Sequence, residues 1–409
     1  MSRRAFVFAG VIGAIGVTSQ VARARDLFDV SATSTSGPPA SAQASGSSLV
    51  DLIENLVDSQ EEFAALQDQG FAASLDYAGV ADAVQVTRNA AGTEATVTIP
   101  STGLQKTFTG ADEDDLEQQI EDYIKKDGAS EWGRFLREIN QRTYVGVADG
   151  NPQATTALAA FGTYRRFGLG STPLVGGNTI SLGSGAELRF DIDGGVNSTD
   201  SGDGFFAAGT LSTRFRFGER VALSVATPLA YRQVEEASIF HGGLELGLPI
   251  TLLTGEGVPV RWTITPAGVV YVGGSYDLAA GGVVAGGSIT SSLSFLFDGP
   301  GIVVTVANQY GTYQGVPIDI QEFKFDTDVD QQILKNGVMV TKRFGAGFVD
   351  AGVTYTSFLE DAAIDGYWSP TIGAGLNFGD ASGVRIAYSG DLADGYTTHG
   401  GSLQLWFNR

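Results

Sequence analysis

The sequence predicts an all-β transmembrane barrel of about twelve antiparallel strands, preceded by a small α+β N-terminal domain. Three observations predict it. From about Ala186 onward the chain is a train of runs in which apolar and polar residues alternate. The connections between those runs are by turns tight and long. The composition is lean in charge and rich in glycine: 17% of 409 residues are charged and 56 are Gly, against about a quarter charged and about 7% Gly in ordinary globular chains. No interior stretch reaches the ~18 apolar residues of a membrane helix, so a membrane must be crossed by strands.

The formal charge is −21 and cysteine is absent. An acidic surface is a poor partner for nucleic acid, whose binding depends on neutralising phosphates with Lys and Arg. Zinc–thiolate sites, redox dithiols and cysteine nucleophiles are excluded.

Taken in order, the N-terminus has the three parts of an export signal: the basic MSRR, an apolar run from Ala5 to Val17, and Ala22-Arg23-Ala24 as a small-x-small cleavage site. Cleavage after Ala24 is expected, making 1–24 a signal peptide. Arg3-Arg4 also fits a twin-arginine signal. That route carries folded cargo, whereas a barrel must cross the inner membrane unfolded, which favours general secretion. Residues 25–46, rich in Ser, Ala, Gly and Pro, read as a flexible linker.

Residues 47–145 read as a small helical/ββα domain, expected in the periplasm. Leu49, Ile53, Leu56 and Phe63 recur at helical spacing up to Gly70. Strand-like runs at 83–88 and 94–99 flank Asn89-Ala90-Ala91-Gly92, a hairpin turn. Helices are expected at about 111–126 and 130–141. Asp112–Asp115 stand where a helix N-terminus favours negative charge, which explains them better than a metal does. Residues 146–185 form a connector or plug segment. A short helix over 151–161 is followed by Tyr164, Arg165, Arg166 and Phe167. The segment either plugs the pore, its arginines meeting an acidic lumen, or is a plain tether.

Residues 186–409 are the expected barrel. Leu211, Thr213, Phe215 and Phe217 oppose Ser212, Arg214 and Arg216. Val260, Trp262 and Ile264 oppose Arg261, Thr263 and Thr265. Alternation puts one face in lipid and the other in a polar lumen. Expected strands are 186–196, 205–217, 220–232, 239–253, 258–272, 282–297, 301–313, 332–344, 347–358, 366–378, 383–390 and 398–407. Tight connections such as Gly218-Glu219 and Gly345-Ala346 alternate with longer ones at 197–204, 233–238, 273–281, 314–331, 359–365 and 391–397. An even strand count puts both barrel ends on the short-turn, periplasmic side, where an N-terminal periplasmic domain would enter.

The signal and residues 186–409 resemble Gram-negative outer-membrane β-barrel proteins at class level. The terminal Leu403-Gln404-Leu405-Trp406-Phe407-Asn408-Arg409 resembles the aromatic-ended last strand used in barrel assembly, though two polar residues follow Phe407. Val221–Tyr231 and Gly242–Leu248 are similar to strand pairs of phenol-degradation MetA-like barrels. The order signal, helix, plug-like helix and twelve strands resembles functional-amyloid secretion transporters. Both resemblances imply passage of a solute or polypeptide through the lumen.

Inward, pore-lining positions are expected at Arg189, Arg214, Arg216, Arg232, Glu245, Arg261 and Arg385, with Tyr164, Arg165 and Arg166 as the plug candidate. Such charges set ion selectivity or brace the wall by pairing. The histidines, His241 and His399, offer no evident nucleophile–base pair, although Ser238 lies near the first. No catalytic residue, cofactor or metal is expected. Asp326, Asp328 and Asp330 lack the Gly and Glu of a calcium loop. They and the second acidic cluster, Asp191, Asp193, Asp200 and Asp203, read as solvated loops. The expected function is a non-enzymatic outer-membrane channel for small solutes, gated by the plug. The alternatives are a secretion pore whose polypeptide cargo docks on the periplasmic domain, and a non-conducting anchor. Expected partners are outer-membrane lipid, the barrel-assembly machinery and a second copy of the chain.

Overall fold

The computed structural model describes residues 26–408 apart from 49–50, 53–54, 56–62, 64, 67–68, 124–127, 170–184, 201, 219, 254–258, 279, 298, 300, 321–322, 326–327 and 379–381. The signal segment and most of the helix expected over 47–69 lie outside these residues. Residues 51–52, 55, 63 and 65–66 of that helix are helical.

The N-terminal domain is a six-stranded antiparallel sheet in the order β2-β1-β3-β4-β5-β6. Its strands are β1 (Phe28–Ser34), β2 (Ser41–Gly46), β3 (Phe71–Tyr77), β4 (Val80–Arg88), β5 (Glu94–Ile99) and β6 (Leu104–Thr109). The expected linker over 25–46 is thereby corrected: its residues form β1 and β2. Phe28, Val30 and Ala32 alternate with Asp29, Ser31 and Thr33, and the ladder with β3 satisfies the backbone. Helices α1 (Glu113–Asp122) and α2 (Ala129–Asn140) follow. Asp112 caps α1 by accepting the Asp115 amide at 2.9 Å, so its acids serve the helix terminus.

After α3 (Thr155–Phe167) come the barrel strands β7 (Ala186–Thr199), β8 (Gly202–Phe217), β9 (Val221–Val234), β10 (Ala237–Gly247), β11 (Ile250–Leu253), β12 (Val260–Ser275), β13 (Ala280–Phe297) and β14 (Ile302–Val316). The short β15 (Ile318–Ile320) and β16 (Phe323–Phe325) pair only with each other. Then follow β17 (Asp330–Phe344), β18 (Gly347–Phe358), β19 (Gly366–Phe378), β20 (Ser382–Ser389), β21 (Leu392–Ala393) and β22 (Tyr396–Asn408). β10 and β11 are one wall strand interrupted at Leu248-Pro249, where proline has no N–H for the ladder. The last strand, β22, pairs antiparallel with the first, β7, from Tyr396↔Thr199 to Asn408↔Glu187. The ring of twelve is closed. Closure matters because an unpaired backbone group in hydrocarbon costs several kcal/mol.

The outer face is apolar. Leu188, Phe190 and Ile192 are exposed while Asp191 between them is buried, and the same inversion recurs on β8, β12, β19 and β20. Aromatic rings stand outward near both rims: Phe217, Phe297, Phe344, Phe378 and Phe407 at one, and Phe205, Phe240, Tyr310, Trp368 and Tyr388 at the other. Trp368 to Phe378 spans ten residues of a strand tilted ~40°, or about 25 Å of height, the thickness of an outer-membrane apolar band. The fold is a transmembrane β-barrel.

The two rims differ, and less evenly than expected. The expected loops at 197–204, 233–238 and 273–281 shrink to 200–201, 235–236 and 276–279, because the strands run on past the apolar band. Longer connections remain at 317–329, 359–365 and 390–395. These six form the loop end. The other end carries the remaining connections and both barrel termini.

The N-terminal domain sits at the loop end, opposite the end where β7 begins. Leu27, Phe28, Leu52, Tyr77, Phe135 and Ile139 share one buried cluster with Val234, Ala237, Ile239 and Leu278 of the barrel rim. The Tyr77 hydroxyl donates to the Leu278 carbonyl at 2.8 Å, and Ser47 donates to Glu236 at 2.7 Å. Arg137 pairs with Asp328 at 3.3 Å, and Tyr144 stacks on Tyr396 with ring centres 5.5 Å apart. The contacts therefore touch four of the six loop-end connections or their flanks.

Candidate functional site

The lumen is the site, and α3 fills much of it. The expected helix over 151–161 runs instead over 155–167, continuous through Tyr164, Arg165 and Arg166. No side chain caps its N-terminus. The Thr155 and Thr156 amides instead donate to the Val147 and Ala148 carbonyls at 2.9 and 3.2 Å, which satisfies two otherwise orphaned donors. At the other end Ser292 donates to the Gly168 carbonyl at 3.1 Å, and Arg214 reaches the Arg166 carbonyl at 3.5 Å. Cations at a helix C-terminus are favourable. The 13 residues rise about 20 Å.

Direction follows from the wall partners. Thr155 meets His241 near the loop end, with Oγ1 and Nδ1 3.1 Å apart. Tyr164 donates to Ala307 at 3.1 Å in mid-barrel. Phe167 reaches Gly247 and Gly168 reaches Ser292 toward the turn end. The chain thus enters at the loop rim, descends inside the ring and starts the barrel at the opposite rim.

The seat is cut to this helix. A Cβ on Gly247 would lie 2.3 Å from the Phe167 ring, and one on Gly337 would lie 2.5 Å from the Tyr164 hydroxyl. A Cβ on Gly162 of the helix itself would lie 2.6 Å from Glu245. Absent side chains therefore allow three close approaches. Ala157, Ala159, Ala160 and Thr163 are buried, and the helix packs chiefly on β12 and β13.

Charge locks it. Arg166 pairs with Glu245, which also accepts from the Tyr271 hydroxyl; all three are nearly water-free. Arg165 pairs with Asp193 at 2.5 Å and lies 3.8 Å from Asp191, which Arg189 holds at 3.0 Å. The Asp191 and Asp193 expected in a solvated loop are thereby corrected: both are on β7, facing inward. Lys335 donates to Thr356 at 2.8 Å with its ammonium near the rings of Phe161, Tyr164 and Tyr367.

All seven wall residues expected in the lumen are on inward positions. Arg189, Arg216 and Arg385 pair with Asp191, Glu187 and Asp350 respectively. Arg232 donates to the Tyr144 carbonyl at 2.9 Å and to Asn151 at 3.3 Å. Arg214 and Arg261 line the turn end, and Glu245 holds α3 through Arg166. Sequence reasoning missed Asp193, Tyr271 and Lys335, although each sits on the inward phase of its strand. Ser238 bonds Tyr231 and His241 meets Thr155, so these two do not form a nucleophile–base pair. His399 faces outward beside Tyr388. Asp328 is taken by Arg137, and Asp326 lies outside the described residues.

The helix leaves one side of the bore open. A cavity of about 210 Å³ separates Phe161 and Arg165 from the β17–β22 wall, lined there by Lys335, Asp350, Tyr367, Arg385 and Asp391.

No family model and no curated protein matches the chain. Solved structures similar to it are barrels. The translocator domain of autotransporter NalP from Neisseria meningitidis is 14% identical with a TM-score of 0.45, over 62% of this chain and 96% of that one. The β domain of the Bordetella autotransporter BrkA is 10% identical with a TM-score of 0.41, over 55% and 99%. An outer membrane channel from Pseudomonas putida F1 is 12% identical with a TM-score of 0.39, over 57% and 99%.

Proposed function

We propose that the chain is an outer-membrane anchor that displays its own N-terminal domain at the cell surface, with α3 as tether and stopper. The observation that carries this is the path of α3 from the loop rim to the turn rim inside a closed ring. Outer-membrane barrels keep short turns in the periplasm and longer loops outside. With that orientation the six-stranded domain, docked on the loop rim through Val234, Ala237, Ile239 and Leu278, is outside. The expectation of a periplasmic domain assumed entry at the turn end. The observed entry is at the other rim, and the proposal follows it. The polypeptide that such a pore exports is then the chain's own N-terminal part, not a separate cargo.

The absence of native cysteine makes the test clean. Gln105→Cys on β6 and Arg220→Cys at the β8–β9 turn are both exposed. In intact cells a membrane-impermeant maleimide labels the first. The second reacts only after the outer membrane is permeabilised. The reverse pattern puts the domain in the periplasm and ends the proposal.

A passive channel for small solutes is the second reading, favoured by the cavity beside α3. It requires the full chain in a planar bilayer to conduct steadily with the helix in place. The anchor reading expects small conductance that rises severalfold when 155–167 is deleted.

A further inference from the structure

We propose that the turn end of the lumen holds a small oxyanion, bound between Arg214 and Arg261 with the Thr265 hydroxyl. The three line one cavity of about 20 Å³ beneath Phe167. Arg214 Nε, Arg261 Nε and Thr265 Oγ1 are each buried without a hydrogen-bond partner among the described residues. Thr265 is only 1% exposed, so water does not serve it from outside.

Four other arginines of the lumen are each matched to a carboxylate, and Arg232 is held by the Tyr144 carbonyl and Asn151. Arg166 has Glu245, Arg165 has Asp193, Arg216 has Glu187, and Arg385 has Asp350. The Arg214 side chain makes a 3.5 Å contact to a carbonyl, and Glu187, opposite it on β7, is the carboxylate whose charge acts on it. The Arg261 side chain has neither ion pair nor hydrogen bond among the described residues. Among the described residues the charges acting on Arg261 are those of Arg214, Arg216 and Glu187, so three guanidiniums share a single carboxylate. Like charges gathered away from water repel, and a buried unpaired cation is costly. An anion between them removes both penalties.

The donors select its class. Guanidinium is planar and offers parallel N–H groups, which suit an oxyanion better than a spherical ion, and a hydroxyl adds a third direction. Neighbouring inward positions are small: Ala222 and Ser224 stand on β9, between the strands that carry Arg214 and Arg261. The space is consequently left for a guest. Bridging β8 to β12, the guest ties the wall together under the last turn of α3.

Inorganic phosphate is the probe, added to the full chain refolded in detergent at constant ionic strength with chloride as the balance. Phosphorus-31 line broadening and the melting temperature should both show one saturable site. Arg261→Gln should weaken binding at least tenfold, and Arg134→Gln, on the exposed side of α2, should leave it unchanged. Should Arg261→Gln fail to fold, Thr265→Val removes one donor without altering any charge, and should weaken binding severalfold. Absence of saturable binding in the native sequence, or equal binding by the Thr265→Val and Arg261→Gln variants and the native protein, overturns the proposal.

Discussion

The ammonium of Lys335 lies 5.8 Å from the ring centre of Phe161, reaching from the β17 wall to α3 along the margin of the cavity. Two further rings, those of Tyr164 and Tyr367, stand at 5.9 and 5.4 Å. Cation–π contacts of this kind contribute roughly 0.5–2 kcal/mol, more when desolvated. They brace the helix on the flank where packing is thinnest.

Phe161→Ala should therefore enlarge the open side of the bore without unseating the helix. Single-channel recording in planar bilayers should show a conductance above that of the native sequence and well below that of the chain lacking 155–167. Equality with the deletion would mean that Phe161, and not the glycine-lined seat, holds the helix in place.

Glu245→Gln should be the costliest single change in the lumen. It leaves Arg166 buried opposite a neutral amide, and breaking a buried pair in this way costs about 3–5 kcal/mol. The urea midpoint of the heat-modifiable folded form reports the loss. The double variant Glu245→Gln with Arg166→Met should recover part of it, because no uncompensated charge then remains.

Leu278→Asp should release the N-terminal domain while the barrel stays folded. Leu278 is fully buried between rim and domain, and a carboxylate there is not paired. Limited proteolysis should cut between α2 and α3 many times faster than in the native chain. The barrel should keep its shifted migration on unheated gels.

The N-terminal domain should be more stable when Asp29 is neutral. Burial, then the carboxylates of Asp26 and Asp76, raise Asp29 above the ordinary carboxylate range. An acid with a raised folded-state pKa favours the fold while protonated, and that advantage fades as pH rises through the raised value. Asp29→Asn should raise the domain's melting temperature at pH 7. The difference should vanish as pH falls below about 4, where the native side chain is also protonated.

The strands were legible because lipid and lumen impose opposite chemistry on successive residues, and alternation such as Leu188-Arg189-Phe190-Asp191-Ile192 shows it directly. Their outer ends were not. Past the apolar band the strands run into water, and Asn197–Thr199 and Gly202–Gly204 pair without an apolar signal. β1 and β2 were hidden for a related reason: Ser, Ala and Gly dominate them, and composition outweighed the alternation of Phe28, Val30 and Ala32. Arg165 and Arg166 could be picked out as plug residues from their position alone. Their partners Asp193 and Glu245 are 28 and 79 residues away in sequence, and barrel closure brings them together. The rim on which the N-terminal domain docks could not be read from strand parity, since an even count fixes where the barrel's ends lie and not how the preceding chain reaches them.

Threading of α3 through the ring also decides how the molecule bears load. Traction on the six-stranded domain first peels its rim contacts, then pulls the helix lengthwise, so that Phe167 in its glycine socket and the two arginine pairs must yield in shear together. A tether held this way resists far more than one hung from a rim loop, whose bonds would unzip one after another. The barrel wall, and not the linker, takes the strain.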